Sequence, residues 1–442
     1  MKRSAWRYLW KSEDIRSKLL ITVGLLILYR LAANIPVPGI NRDVLASLAT
    51  SGGAAGNLFN LLDLLSGGTV SNFSILAMGV YPYITAQIII QLLVPIIPAL
   101  ERRIKDNPRE GQKWMEKWTI IGTIPMAALS AVGQINIFSQ LTGGQSILYN
   151  YGFTGAALVP TLATLLSMIA GTMFGIWLGQ LISEYGIPNQ GLSLIIFSGI
   201  VSQIPSNLGS LLADEQNGWW LTLIIVALLV LTIFAIVFVQ QGRRNVPVLF
   251  PGRRVGNRMS MPVRSSLPLM VNMAGMIPLI FAQSILTFPA IVASYFMANS
   301  TFARGVYNTF SASNGWYSLM YFLMVVLFTF FYTDVLFQQQ NYGDNLKKQG
   351  AQIPGVVRGG PTQKYLTKVQ RRITLPGALF LGLVAVLPYV LGSLLPVGSQ
   401  SSGLFLMSSA GLLIVVGVVR DTFTIIETEL KLHGYDDNLI RG

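Results

Sequence analysis

The chain has 442 residues, of which 52% are hydrophobic and 11% charged, and its formal net charge is +13. This composition is far from that of a soluble domain and is typical of a polytopic membrane protein. It has no cysteine, one histidine (His433) and no phosphate-binding loop motif, so we expect no enzyme, no metal site and no cofactor.

Ten apolar segments, each close to the ~20 residues that cross a bilayer as a helix, follow one another along the chain. They are residues 18–33, 73–98, 118–138, 153–182, 192–212, 219–241, 267–297, 316–337, 373–395 and 403–419. The first has no small-residue cleavage site, so we interpret it as a retained span rather than a signal peptide. Ten spans place both termini on the same side of the membrane.

The basic residues indicate which side that is. They cluster before the first span and after the second, sixth and eighth, while the alternate gaps hold only Arg42 and Arg304. Because cytoplasmic loops retain an excess of Lys and Arg, both termini are predicted to be cytoplasmic. The positive charge therefore orients the chain, and direct binding of DNA or RNA is not favoured beyond contact with ribosomal RNA.

A short segment between the first two spans, residues 57–72, is too polar to cross and too apolar to be a free loop. Its leucines repeat at helical spacing, Asp63 lies within it, and two glycines end the pattern. The residues concerned are Leu58, Leu61, Leu62, Leu65, Gly67 and Gly68. A helix this short is only marginally stable unless it packs against other elements. We therefore expect it either to dock on the spans as a structural cap or to occupy a cavity between them.

Two long gaps on the cytoplasmic side, residues 240–266 and 338–372, are rich in Gly, Pro and Arg. Loops of this kind are either solvated or serve as docking surfaces. The pattern alone leaves both interpretations open.

Six motifs, in order along nearly the whole chain, resemble the SecY family of protein-conducting channels. They are YRLAANIPVPGI, FNLLDLLSGGTVSNFSILAMGVYPYITAQIIIQLL, SLIIFSGIVSQIP, LPLMVNMAGMIPLIFA, DNLKKQGAQIPG and AGLLIVVGVVRDT. The resemblance implies an all-α membrane protein with ten transmembrane helices in two pseudo-symmetric five-helix halves around a central pore. The implied division is a segment 1–17, halves 18–212 and 213–419, and a tail 420–442, with residues 57–72 as a plug.

The resemblance also implies roles for individual residues. A ring of apolar side chains closes the pore, whereas the residues alone would suggest ordinary helix packing. Its members would be Val80, Ile84, Leu192, Ile196, Ile280 and Ile414. A lateral gate between the second and third spans and the seventh and eighth would include the polar residues Thr85, Gln87, Gln91, Asn272 and Gln283. Each of these gate residues could instead form a static hydrogen bond that holds two helices together.

The implied partners are SecE and SecG as subunits, the SecA motor ATPase or the ribosome, signal sequences, nascent polypeptides and membrane lipid. The implied location is the cytoplasmic membrane of a bacterium. Docking of the motor or ribosome is expected at Arg243, Arg244, Arg253, Arg254 and Arg358. The family motif IPGIRPG stands here as IPGVVRGG, which moves its arginine one place along, to Arg358.

Two other classes of protein compete with this interpretation. A secondary transporter or ion channel would place ionisable residues at mid-membrane, but the spans are almost free of charge. A structural scaffold for membrane insertion would need neither a plug nor an aliphatic ring. The sequence therefore favours a protein-conducting channel.

Overall fold

The computed structural model describes residues 13–41, 44, 73–141, 147–149, 151–152, 155–212, 218–250, 254–255, 258–259, 263–296, 300–310, 315–394 and 409–432. The predicted plug, residues 57–72, lies outside the described residues, as does Arg253. The helices are α1 Glu13–Ala32, α2 Tyr81–Ile96, α3 Pro98–Asp106, α4 Pro108–Leu141, α5 Leu158–Tyr185, α6 Gly191–Leu212, α7 Gly218–Gln241, α8 Ile277–Phe296, α9 Thr301–Thr309, α10 Gly315–Gln339, α11 Tyr342–Lys348, α12 Gly360–Leu394 and α13 Ser409–Leu432. The strands are β1 Arg243–Phe250, β2 Arg254–Val255, β3 Arg258–Met259 and β4 Val263–Met270.

The predicted class, a helical membrane protein with several spans, is confirmed, but the count of ten spans is not. Within the described residues, four helical stretches are long and apolar enough to cross a membrane: Arg109–Asn136, Leu158–Tyr185, Gly315–Lys348 and Gly360–Leu387. The pair Tyr81–Val94 and Pro98–Ile104, bent by 92°, would be a fifth if taken together. The bend falls where Pro98 follows Ile97, because proline disfavours helical backbone at the residue before it.

The chain divides into two compact units, one of residues 1–227, 287–317 and 388–442 and the other of residues 228–286 and 318–387. In the first unit, α4 packs on α2 and α5, and α5 packs on α1 and α6. Its main apolar core joins α4 and α5 to the segments on either side of the predicted plug, with Phe73 and Ile147 fully buried. The core therefore lies beside both flanks of residues 57–72.

Those two flanks are hydrogen-bonded to each other. Pro36 and Ser74 form an antiparallel bridge. The Ile75 N–H donates to the Ile35 carbonyl at 3.0 Å, and the Val37 N–H donates to the Phe73 carbonyl at 3.0 Å. We call this paired base of residues 35–37 and 73–75 the neck.

The second unit contains an antiparallel ribbon where the sequence predicts a loop. Strands β1 and β4 pair over their full length, from Arg243 opposite Met270 to Phe250 opposite Val263. Alternate β1 side chains, Val246 and Val248, are buried in a core shared with α10, α11 and α12. This period-2 burial is the pattern of a strand with one face covered.

The predicted seventh span is wrong at its start. Residues 267–270 belong to β4, and the helix begins only at Ile277. Apolar residues of a half-buried strand inflate the local hydropathy, so residues 267–297 appeared as one long apolar run. The ribbon continues directly from α7, because the Val271 N–H donates to the Gly242 carbonyl at 2.9 Å.

Candidate pore-lining site

One face of α5 lacks side chains at three successive turns. Gly171, Gly175 and Gly179 are spaced four residues apart, so they lie on one side of the helix, about 6 Å apart along its axis. All three are buried. Glycines at this spacing let other chain segments approach a membrane helix closely. We call this surface the glycine face.

Two predicted ring residues rest on the glycine face. A Cβ atom built on Gly175 would lie 3.9 Å from Cγ1 of Val80, and one built on Gly179 would lie 2.8 Å from Cδ2 of Leu192. Leu192 therefore lies against α5 at Gly179, and Val80 lies near Gly175, about one helical turn away, where Tyr29 and Leu76 come closer, at 3.5 and 3.7 Å from the same built Cβ. The residues come from α6 and from the segment just before α2, so the fold brings distant parts of the first half to one place.

The start of α6 approaches α5 more closely still. A Cβ atom on Gly191 would collide with the carbonyl oxygen of Gly179, which belongs to the main chain of α5. The Gly191 N–H donates to the Ser183 hydroxyl at 3.1 Å. Only glycine fits at this position, and the contact fixes where the next residue, Leu192, can lie.

The other predicted ring residues of the first unit lie on neighbouring elements. Ile84, in the first turn of α2, and Ile196, one turn beyond Leu192, are half-buried. Ile414 in α13 is 7% exposed. Since α13 packs against α6, Ile414 and Ile196 belong to adjacent helices. All of these side chains are branched aliphatics that offer no hydrogen bond.

A half-buried arginine, Arg30, holds α6 against α1. Nη2 of Arg30 donates to the carbonyls of Ser198 and Gly199 at 2.6 and 2.8 Å, and also to the Ser202 hydroxyl. These acceptors lie in the turn that follows Ile196. Nη2 carries two hydrogens, so at least one of them is shared between two of these oxygens. Arg30 is therefore a structural anchor of the helix that carries two predicted ring residues.

The predicted gate residues of the first unit lie on α2. Thr85 is buried, and its hydroxyl donates to the Pro82 carbonyl at 2.8 Å, within its own helix. Gln87 and Gln91 are half-buried and lie on one face of α2, four residues apart. Their amides remain the first-unit candidates for bonds that break when a gate opens.

The second unit contributes site residues around the start of α8. Ile280 and Gln283 are half-buried in its first two turns. Asn272 precedes the helix, contrary to the sequence prediction, and its side chain donates to the Gly275 carbonyl at 3.1 Å. Gly275 has a φ of +64°, which glycine adopts easily, so the chain turns here before α8 begins.

The docking arginines fall in different settings. Arg243 and Arg244 are exposed at the start of β1, and Arg358 is exposed just before α12. Arg254 lies in the short strand β2. The ribbon therefore presents two of the predicted docking side chains to solvent from a regular strand rather than from an irregular loop.

Three features of the first unit were not found by sequence reasoning. The glycine face was readable as G-x-x-x-G-x-x-x-G within an apolar helix. The charge of Arg30 was noticed, but main-chain acceptors leave no sequence signal. An ion pair at 2.5 Å between Lys18 of α1 and Glu429 of α13 joins residues too far apart in the chain to be paired from sequence.

Comparison with solved structures assigns the fold to a class. A solved protein-conducting channel matches with a TM-score of 0.65 and 16% identity, over 99% of this chain and 100% of that one. Sec61 in a canine ribosome–channel complex matches with a TM-score of 0.62 and 16% identity, over 99% and 100%. The fold is that of the protein-conducting channels.

Sequence comparison gives the family. The SecY family model matches residues 74–423. SecY translocase subunits of Chlamydia trachomatis serovar D, Escherichia coli K12 and Thermus thermophilus are 36%, 35% and 36% identical, over 97%, 96% and 100% of this chain and 96%, 94% and 98% of theirs. The chain belongs to the SecY family. Family and fold together make it a channel subunit rather than an enzyme.

Proposed function

We propose that the chain forms the pore through which unfolded polypeptides cross the cytoplasmic membrane of a bacterium, and from which apolar segments pass sideways into lipid. The observation that carries the proposal is that Val80 and Leu192 lie close to the glycine face, about one helical turn apart. It supports a shared site for residues that sequence motifs placed in one ring.

The ring, Val80, Ile84, Leu192, Ile196, Ile280 and Ile414, acts as an apolar constriction. A translocating chain must pass while ions are retained, and an apolar constriction achieves this by dewetting. Branched aliphatic side chains offer no hydrogen bond to the passing peptide and can close around side chains of different size. The anchoring of α6 by Arg30 supports this role, because it fixes one side of the constriction.

The plug, residues 57–72, seals the outer funnel between rounds of transport. Support comes from the neck, which places both ends of residues 38–72 beside the core of the first unit. Lateral release uses the polar residues of α2 and α8. Hydrogen bonds between such residues are worth about 0.6–2 kcal/mol each in a membrane, which is weak enough to break reversibly.

Energy comes from partners. The arginines of the ribbon and Arg358 dock the SecA motor or the ribosome, because guanidinium groups bind carboxylates and phosphates bidentately. SecE holds the two halves, 18–212 and 213–419, and SecG is a third subunit. Both termini are cytoplasmic, as the alternation of basic gaps supports.

Conductance of the purified chain with its SecE-like subunit in planar bilayers tests the proposal. We expect Ile414→Asn and Ile280→Asn to raise the resting ion conductance, because an amide draws water into an apolar constriction. Deletion of residues 57–72 should do the same. The matched controls Ile414→Val and Ile280→Val keep the site apolar and should stay tight.

Transport of a signal-sequence-bearing substrate by the same variants, after the SecA motor is added, shows that each variant is folded. Resting conductance unchanged in both asparagine variants would contradict the ring. Equal resting conductance with and without residues 57–72 would make that segment a structural cap rather than a plug.

A further inference from the structure

Tyr317, in the first turn of α10, is directed into the protein rather than toward lipid. It is 3% exposed, whereas Trp316 and Leu319 in the same part of the helix are 65% and 50% exposed. A buried tyrosine hydroxyl needs a hydrogen-bond partner, because an unpaired one costs the free energy of removing it from water.

Tyr389 of α12 is that partner. The two rings meet edge to face, with their centroids 5.6 Å apart and their planes inclined by 61°. One of the two hydroxyls donates a hydrogen bond to the other. The pair therefore joins the start of α10 to the last turns of α12.

A third tyrosine lies close to this pair. Tyr81 is the first residue of α2, and its hydroxyl is near enough to act electrostatically on that of Tyr317. All three residues belong to the first unit, which takes in residues 315–317 and 388–394 although the rest of α10 and α12 belongs to the second. We call Tyr81, Tyr317 and Tyr389 the tyrosine cluster.

The tyrosine cluster spans the predicted lateral gate, with α2 on one side and α10 on the other. In the proposed topology, the start of α10 lies on the outer side of the membrane. Two gate residues predicted from the sequence, Thr85 and Asn272, donate hydrogen bonds within their own segments, so those bonds do not join the two sides. The approach of Tyr81 to Tyr317 runs from one side to the other.

We propose that Tyr317, positioned by Tyr389, holds the outer end of α10 beside Tyr81 and thereby sets how apolar a segment must be to open the gate. The inference rests on the proposed function, in which apolar segments leave the pore sideways. An entering helix offers these hydroxyls no backbone partner, because its own N–H and C=O groups are paired internally. It must offset their separation by burying apolar side chains, which a more apolar segment does more fully.

SecA-driven transport into proteoliposomes that contain the full-length chain with its SecE-like subunit tests the proposal. Two substrates are compared, one with an intact signal sequence and one whose apolar signal core is weakened by Leu→Ser changes. We expect Tyr317→Phe to raise the ratio of weakened-signal to intact-signal transport about 2–10-fold, the effect of one hydrogen bond on the balance of closed and open gate. A misfolded fraction would lower both rates and leave the ratio unchanged.

Tyr389→Phe should raise the ratio by a similar factor, because it removes the same hydrogen bond. The double variant Tyr317→Phe/Tyr389→Phe should therefore raise it no further than the larger single change does. Multiplied effects in the double variant would overturn the inference, since the two hydroxyls would then act independently.

Tyr332→Phe is the matched control. Tyr332 lies on the same helix, is 6% exposed, and packs its ring against Phe281 with centroids 5.5 Å apart. The same loss of a hydroxyl there should leave the ratio unchanged. If Tyr317→Phe matched this control while the intact-signal substrate was transported, the tyrosine cluster would not set the threshold. Absence of transport of the intact-signal substrate by the native chain would instead contradict the proposed function.

Discussion

Replacing Gly191 by alanine tests whether close contact with α5 positions the α6 residues that we propose line the pore. The added methyl group would meet the carbonyl oxygen of Gly179, which is main chain and cannot swing aside. The first turn of α6 must therefore move outward, and Leu192 moves with it. The hydrogen bond that the N–H of residue 191 donates to the Ser183 hydroxyl, which is 3.1 Å long with glycine in place, lengthens or breaks.

The cost can be estimated from these two contacts. Overpacking at a tight site costs about 1–3 kcal/mol, and a lost buried hydrogen bond adds about 1 kcal/mol. We therefore expect Gly191→Ala to lower the thermal midpoint of the purified channel by several degrees and to raise its resting conductance. The conductance rises because the displaced Leu192 no longer fills its part of the constriction.

Gly24→Ala is the matched control, since a Cβ atom at Gly24 in α1 would meet nothing within 4 Å. It should leave both the thermal midpoint and the conductance unchanged. If Gly191→Ala behaved like this control, the reasoning from the glycine face would be refuted. A lower thermal midpoint with unchanged conductance would support the packing of α6 on α5 but would contradict a role for Leu192 in closing the pore.

Three further predictions concern the same unit. Gly179→Ala should destabilise the protein, because the new Cβ would lie 2.8 Å from Cδ2 of Leu192. Adding Leu192→Ala should remove that steric clash. Coupling of about 0.5–3 kcal/mol in that double-mutant cycle is the expected result, and additive effects would count against the contact. Arg30→Leu should lower the thermal midpoint more than Thr22→Val does, since bonds from a charged group contribute about 1.5–3 kcal/mol each. Equal midpoints would mean that α6 does not depend on Arg30. Lys18→Ala and Glu429→Ala should each cost only about 0–1 kcal/mol, because side chains that are 38% and 20% exposed are screened by solvent. The loss should vanish in high salt, and persistence there would indicate a different cause.

Hydropathy and charge predicted the helices well because each span carries its own signal. Helices α5, α7 and α10 begin and end close to the predicted spans, whereas α4 and α12 begin well before theirs, and the proline after Ile97 marks the end of the second span. The resemblance to family motifs assigned Val80 and Leu192 to one ring, and that assignment stays a prediction. Their common contact with α5 was not predicted, because contacts between distant segments depend on the fold.

The ribbon was missed for a different reason. Val246 and Val248 stand two residues apart, as on one face of a strand, but Pro247 between them and the arginines before them suggested a loop. Its partner strand begins VRSS and ends LPLM, and the apolar LPLM joined the following apolar helix in the hydropathy pattern. The ribbon forms because β1 pairs with β4, a strand that is separate from it in the sequence. No local sequence pattern indicates that pairing.

The neck has a consequence for how a plugged channel reseals. Because residues 35–37 and 73–75 are bonded to each other, the chain between them is a closed loop whose two ends meet on the first unit, and its first residues are held further by a bridge between Ile40 and Leu148. A plug carried by that loop returns to its seat by an intramolecular step, and the effective concentration for a short tether is on the order of millimolar. Closure should then be first order and independent of how many channels the membrane holds. A channel stopped by a separate subunit would instead close more slowly as that subunit was diluted.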